Sequence, residues 1–131
     1  MADTHKIQLE ALTSEIIACK MCTRLVAWRE KIGEEKRASY KDWEYWAKPV
    51  PSFGDPDASM LVLGLAPAAH GGNRTGRVFT GDASATFLTE AMHKAGLANQ
   101  PNSDHRNDGR EFKGAYIGAT VRSVPPGGKP T

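Results

Sequence analysis

Long apolar runs are missing from this chain. No stretch approaches the roughly 18 residues that cross a bilayer, and the N-terminus lacks the basic-then-apolar pattern of a secretory signal. A strong net charge is missing too: 17 lysines and arginines face 15 aspartates and glutamates, a formal charge of +2. Any surface for a polyanion must therefore be a local patch. Cysteine is scarce, with only Cys19 and Cys22. A single C-x-x-C pair makes no disulfide framework and points to metal or redox chemistry in a reducing compartment. Together these absences predict a cytoplasmic protein with no membrane partner. There is no internal repeat and no domain linker, so the 131 residues read as one domain with a sizeable core.

What is present is concentrated in one run, Gly64-Leu65-Ala66-Pro67-Ala68-Ala69-His70-Gly71-Gly72-Asn73-Arg74-Thr75-Gly76-Arg77-Val78-Phe79-Thr80-Gly81-Asp82. It follows an apolar, strand-like Met60-Leu61-Val62-Leu63 and precedes a helical pattern. Glycines let a backbone approach a ligand closely, and helix N-termini favour anionic groups. A loop of this composition adds little to a core and reads as a site. It contains no lysine, which excludes the phosphate-binding pattern G-x-x-x-x-G-K-[ST].

The rest of the chain arranges itself around that loop. Ile7, Leu9, Leu12, Ile16 and Ile17 recur at helical spacing and predict a first helix over residues 5–18. A second, short helix carries Leu25, Val26, Trp28 and Ile32 and is expected to stop at Gly33. Residues 34–58 read as a long irregular segment anchored by Trp43 and Trp46. A first strand is expected over residues 60–65. A helix face follows, made of Phe87, Leu88, Ala91, Met92 and Ala95, with Gly96 as its stop. Residues 97–113 are polar and turn-rich, and residues 116–121 form a second strand ended by Pro125-Pro126-Gly127-Gly128. Strand, loop, helix, loop, strand is a crossover unit, which predicts an α/β fold with a parallel sheet. Ligands bind such sheets beyond the carboxyl ends of the strands. The glycine loop and the turn at Ser123 both lie at that edge.

Three residue types in the loop carry distinct chemistry. Asp82 is its only acid: it suits a catalytic carboxylate, and it also suits an N-cap for the following helix. Phe79 suits a stacking platform for a base or a place in the core. Arg74 and Arg77 suit phosphate contacts or ordinary pairing. The C-x-x-C pair fits zinc, a redox couple or half of an iron–sulfur site, although no second ligand pair at zinc-finger spacing follows.

The loop, with Cys19-Lys20-Met21-Cys22-Thr23-Arg24-Leu25, Tyr45-Trp46-Ala47-Lys48-Pro49-Val50-Pro51-Ser52-Phe53-Gly54-Asp55 and Val121-Arg122-Ser123-Val124-Pro125-Pro126, resembles the family 5 uracil-DNA glycosylases, iron–sulfur members of their superfamily. The resemblance implies a three-layer α/β/α fold around a parallel sheet, of which residues 1–131 would be the N-terminal portion. It implies a monomeric DNA-repair enzyme that hydrolyses the N-glycosidic bond of uracil, or of other deaminated bases, and leaves an abasic site. Asp82 would then be catalytic. Ala66, Pro67, Ala68, His70, Asn73 and Phe79 would bind the flipped base, with the backbone of residues 66–69 facing its oxygen. Gly71, Gly72, Arg74 and Arg77 would meet DNA phosphates. Cys19 and Cys22 would be two ligands of a 4Fe–4S cluster; the third position falls on Ser123, where the family has cysteine, and the fourth would lie beyond Thr131. Leu65 stands where related iron–sulfur glycosylases carry an acid, which puts the catalytic burden on Asp82. Gly128 stands where the family tends to have an asparagine, and the family's C-terminal histidine motif has no counterpart among these residues. The alternative expectation is a DNA-binding fragment of that family with impaired catalysis.

Overall fold

A computed structural model describes residues 2–130 of the chain. Helix α1 spans Ala2–Ala18 and α2 spans Thr23–Glu35, with Cys22 at the N-cap of the second. A 3-10 turn, Ala38–Tyr40, leads into the aromatic segment. Strand β1 is Phe53–Gly54, β2 is Met60–Gly64, α3 is the one-turn Gly72–Thr75, α4 is Ala83–Lys94 and β3 is Ala115–Ala119.

The three strands form one sheet in the order β1-β3-β2. β2 and β3 run parallel, from Met60 opposite Ala115 to Gly64 opposite Ala119, and α4 lies on the crossover between them. This is the expected unit of a mixed α/β fold. β1 pairs antiparallel with β3, Phe53 opposite Ile117, and is an element that the reading of residues 34–58 as irregular missed. At two residues it is too short to show alternation.

β3 is central and buried, with Ala115 and Ile117 fully enclosed. Val50, Val78, Met92, Ala98 and Phe112 complete the core around them. β2 is an outer strand: Val62 packs inward while Leu61, Leu63 and Leu65 face out.

One boundary and two helix faces differ from the sequence expectation. α2 runs through Gly33 and ends after Glu35 at Lys36, which has φ +58° and an N–H bonded to the Ile32 carbonyl. Gly33 serves close approach and not termination: a Cβ there would lie 2.8 Å from the Cβ of Ala47. On α4 the buried positions are Ala85, Thr89 and Met92, and Phe87 is 77% exposed, so the inward stripe is rotated from the expected one. On α1, Ile7 and Leu12 are exposed, and Leu9 and Thr13 line a cavity shared with Phe53 and Gly54 of β1 and Tyr116 of β3. Gly96 does follow α4 in the left-handed region, at φ +80°.

Candidate functional site

The loop after β2 folds back on itself around α3. The Ala68 carbonyl accepts the N–H groups of Gly71 and Asn73, and Gly76 closes the turn at φ +80° by bonding the Gly72 carbonyl. Trp46 lies flat over Gly76, so close that a Cβ there would be 2.6 Å from the ring. Its indole N–H donates to the Pro49 carbonyl at 3.0 Å. The aromatic segment therefore clamps the loop, as its two tryptophans suggested.

Asp82 is the N-cap of α4: its Oδ1 accepts the Ala85 N–H at 2.8 Å. The second oxygen faces Gly71, where any side chain would run into the carboxylate. One oxygen is thus fixed by the helix while the other remains at the loop surface, which leaves room for both roles of this residue.

Phe79 holds φ +46°, the left-handed region that bulky residues avoid at a cost of order 1–3 kcal/mol. Its carbonyl accepts from Arg110 Nη1 at 2.6 Å and Ser103 Oγ at 2.8 Å, and the preceding Val78 carbonyl accepts from Arg110 Nη2 at 3.0 Å. These bonds offset the strain. The conformation lays the ring across the end of β2, where a Cβ on Gly64 would meet its Cζ at 2.7 Å.

Phe79 and Asp82 border the same cavity of about 150 Å³, with Leu65, Ala66, Pro67, Ala68, Gly72, Val78, Ser84 and Ala119 as its other walls. The N–H groups of Ala66 and Ala68 bond to nothing among the described residues. Phe79, Asp82 and two residues with free amides thus line one cavity at the carboxyl ends of β2 and β3.

His70 belongs to a neighbouring cleft that Asp82 also borders. Its Nδ1 lies 2.7 Å from the Tyr45 hydroxyl. Burial, then the charges of Arg37 and Arg74, push its pKa below the usual histidine value, so the ring is neutral at pH 7.

The remaining loop residues sit elsewhere. Asn73 is fully enclosed and lines neither space; its backbone bonds the Ala68 carbonyl and the Ala47 N–H, while its side-chain amide has no hydrogen-bond partner among the described residues. Arg74 and Arg77, expected to meet phosphates, are both buried. The Arg74 guanidinium lies between the rings of Tyr40 and Trp43, 3.8 and 4.1 Å from their centroids, and donates to the His70 and Gly81 carbonyls. Arg77 forms a two-pronged bond to Asp108 at 2.8 and 3.0 Å and donates to Thr80 Oγ1 at 2.9 Å. Each guanidinium is used to brace the loop and has little surface left for a phosphate. Gly71 and Gly72 are buried as well and serve close packing, Gly71 against Asp82 and Gly72 against Pro67.

The bracing residues Ser103, Asp108 and Arg110 lie in the segment read only as polar and turn-rich. Arg110 packs on Phe53 and Phe112 at 5.0 and 4.5 Å, and burial, then the charge of Arg77, push its pKa down to about 9. It stays charged at neutral pH. Burial alone would raise the Asp108 carboxyl, but the Arg77 bond, the Arg110 and Asp104 amides and the Arg77 charge outweigh it and hold it far below the usual carboxylate range. Only the Asp108-Gly109-Arg110 turn signal was present in the sequence, and it did not reveal a partner 31 residues away.

Cys19 and Cys22 line a separate cavity of about 350 Å³ between α1, α2 and the turn after β3, and Ser123 lines it with them. Arg29 reaches into this cavity: Nη1 donates to Ser123 Oγ at 2.9 Å and Nη2 to the Cys19 carbonyl at 3.3 Å. A four-iron cluster takes four thiolates. The described residues bring two thiols and a hydroxyl already bonded to a cation, and they contain no group of three metal-binding side chains. This donor set does not fit a complete four-iron cluster.

A family model described as the uracil DNA glycosylase superfamily matches residues 51–131. The type-5 uracil-DNA glycosylase of Thermus thermophilus is 53% identical over 122 residues, 93% of this chain and 55% of the relative. Those of Mycobacterium leprae and Pyrobaculum aerophilum are each 48% identical, over 92% and 90% of this chain and 52% and 51% of theirs. The chain therefore spans about half the length of the relatives it matches. With the family match covering most of the chain, including both strands of the parallel pair and the whole loop between them, this chain belongs to the uracil DNA glycosylase superfamily.

Proposed function

We propose that these residues carry the base pocket and the catalytic carboxylate of an enzyme that hydrolyses the N-glycosidic bond of uracil, or of another deaminated base, in DNA. One observation carries the reading: the Phe79 ring, the Asp82 carboxylate and the unpartnered amides of Ala66 and Ala68 border a single cavity at the carboxyl ends of the parallel strands. Breaking the bond builds positive charge on the sugar and negative charge on the base. Stacking on Phe79 holds a base that has left the duplex and contributes roughly 1–3 kcal/mol. The amides of Ala66 and Ala68 donate to the base oxygen as it gains charge. Asp82, steadied by the Ala85 N–H, stabilises the sugar cation or orients the attacking water. The type-5 names of the relatives support uracil as the base.

DNA is then the partner, and we take the working unit to be a monomer in the cytoplasm. Residues 1–131 form the N-terminal portion of the catalytic domain in this reading. Among the described residues no helix is long and apolar enough to cross a membrane. For the cofactor, we assign Cys19 and Cys22 as half of an iron–sulfur site; no catalytic step depends on it.

Asp82→Asn tests the reading, measured in this chain extended by the C-terminal half of the Thermus relative. Asparagine caps a helix nearly as well as aspartate, so the fold is kept. Uracil release should fall about 10²–10⁴-fold with DNA affinity little changed. Parent-like release by the variant would remove Asp82 from catalysis.

A further inference from the structure

Asp82 borders two spaces, and the base pocket uses only one. The other is a cleft of about 410 Å³ formed with Arg37, Tyr40, His70, Gly71 and Ala83, among others. Tyr45, buried beneath it, ties two of these residues together. Its hydroxyl oxygen accepts the Arg37 backbone N–H at 3.2 Å and lies 2.7 Å from His70 Nδ1. A buried hydroxyl proton needs an acceptor, and Nδ1 is the one in reach among the described residues. The tyrosine therefore donates to Nδ1, and the neutral imidazole keeps its own proton on Nε2. Nε2–H has no partner among the described residues.

Arg37 is exposed, and its guanidinium forms no ion pair among the described residues, yet its charge reaches the His70 ring. The cleft thus offers a free guanidinium and an oriented N–H, the donors that a phosphodiester takes. Asp82 is the carboxylate among the walls, and Ala85 holds its Oδ1 at the start of α4, so an anion is favoured at the Arg37 side.

We propose that Arg37 and His70 Nε2–H bind a phosphodiester of the DNA strand in this cleft, with Tyr45 as the positioning residue that holds both. The inference rests on the glycosylase reading and assigns the phosphate contact that the buried Arg74 and Arg77 do not make. It also places the backbone and the flipped base in two spaces that share Asp82, with the glycosidic bond beside the carboxylate.

The test uses the chain itself with a labelled single-stranded oligonucleotide containing one uracil, titrated over a range of salt concentrations. Arg37→Ala should weaken binding several-fold and reduce the slope of log affinity against log salt by about 0.7, the value of one single-strand phosphate contact. A neutral methylphosphonate linkage beside the uracil should weaken the parent and cost the Arg37→Ala protein little more. In ¹⁵N spectra of the free parent, His70 should carry its proton on Nε2; Tyr45→Phe should mix the tautomers. If the parent binds DNA and Arg37→Ala has the same slope, this site is overturned and the glycosylase reading stands. A parent that binds no DNA overturns both. A parent His70 protonated on Nδ1 overturns the role of Tyr45.

Discussion

Replacing Asp108 by asparagine should destabilise the protein far more than its place in a polar loop suggests. The carboxylate is 4% exposed and accepts five hydrogen bonds, two from Arg77 at 2.8 and 3.0 Å and one each from the Asp104, Arg110 and His105 amides at 2.9, 3.0 and 3.5 Å. Asparagine keeps the shape but loses the charge, and it turns an NH₂ group toward donors. Arg77, equally buried, is left as a cation with neutral partners only. Removing one member of a buried pair costs about 3–5 kcal/mol, a large share of the roughly 5–15 kcal/mol that stabilises a domain. With a urea dependence near 2 kcal/mol per molar, the unfolding midpoint should fall by about 2 M. The acid dependence gives a second readout. The folded-state pKa of Asp108 lies below its ordinary 3.8, so its contribution is fully present above about pH 4 and is lost as pH falls toward the folded value. The parent should therefore lose stability below pH 4 more steeply than Asp108→Asn. A midpoint within about 0.3 M of the parent, or parallel acid profiles, would refute the view that this ion pair braces the loop.

Two other substitutions test the departures from the family pattern. Ser123→Cys puts a third thiol into the cavity of Cys19 and Cys22 and removes the hydroxyl that holds Arg29; anaerobic reconstitution should then load several times more iron and sulfide per chain than the parent takes up, and equal loading would show that Ser123 does not limit the site. Gly128 has φ +74° with open space where a Cβ would stand, a conformation asparagine tolerates, so Gly128→Asn should leave the thermal midpoint within a few degrees. In the chain extended as above, one added polar contact to the base of about 1.4 kcal/mol should raise uracil release about tenfold, and an unchanged rate would place residue 128 away from the base.

The parallel pair and its crossover were legible because each signal is local. Met60-Leu61-Val62-Leu63 is apolar and β-compatible, Gly96 is a helix stop, and glycines crowd the loop between. The walls of the cavity beyond β2 were legible for the same reason: Ala66, Pro67, Ala68, Phe79 and Asp82 fall within seventeen consecutive residues, residues 66–82. The surroundings of the loop arginines were not legible. A guanidinium beside glycines reads as a ligand contact, yet Arg74 needed Tyr40 and Trp43, and Arg77 needed Asp108, partners that only the fold brings near. Such partners decide function here through charge. Once Arg74 and Arg77 are spent on the loop itself, the cations left to meet DNA must come from outside it, and Arg37, fixed by its own backbone to Tyr45, is placed to do so. The strained Phe79 follows the same logic. A bulky residue at φ +46° is unfavourable in isolation, and Arg110 and Ser103 hold it from a segment with no periodic signal of its own. The loop supplies the chemistry, while the polar residues 97–113 and the aromatic residues 40–46 supply the rigidity that keeps ring, carboxylate and amides around one cavity.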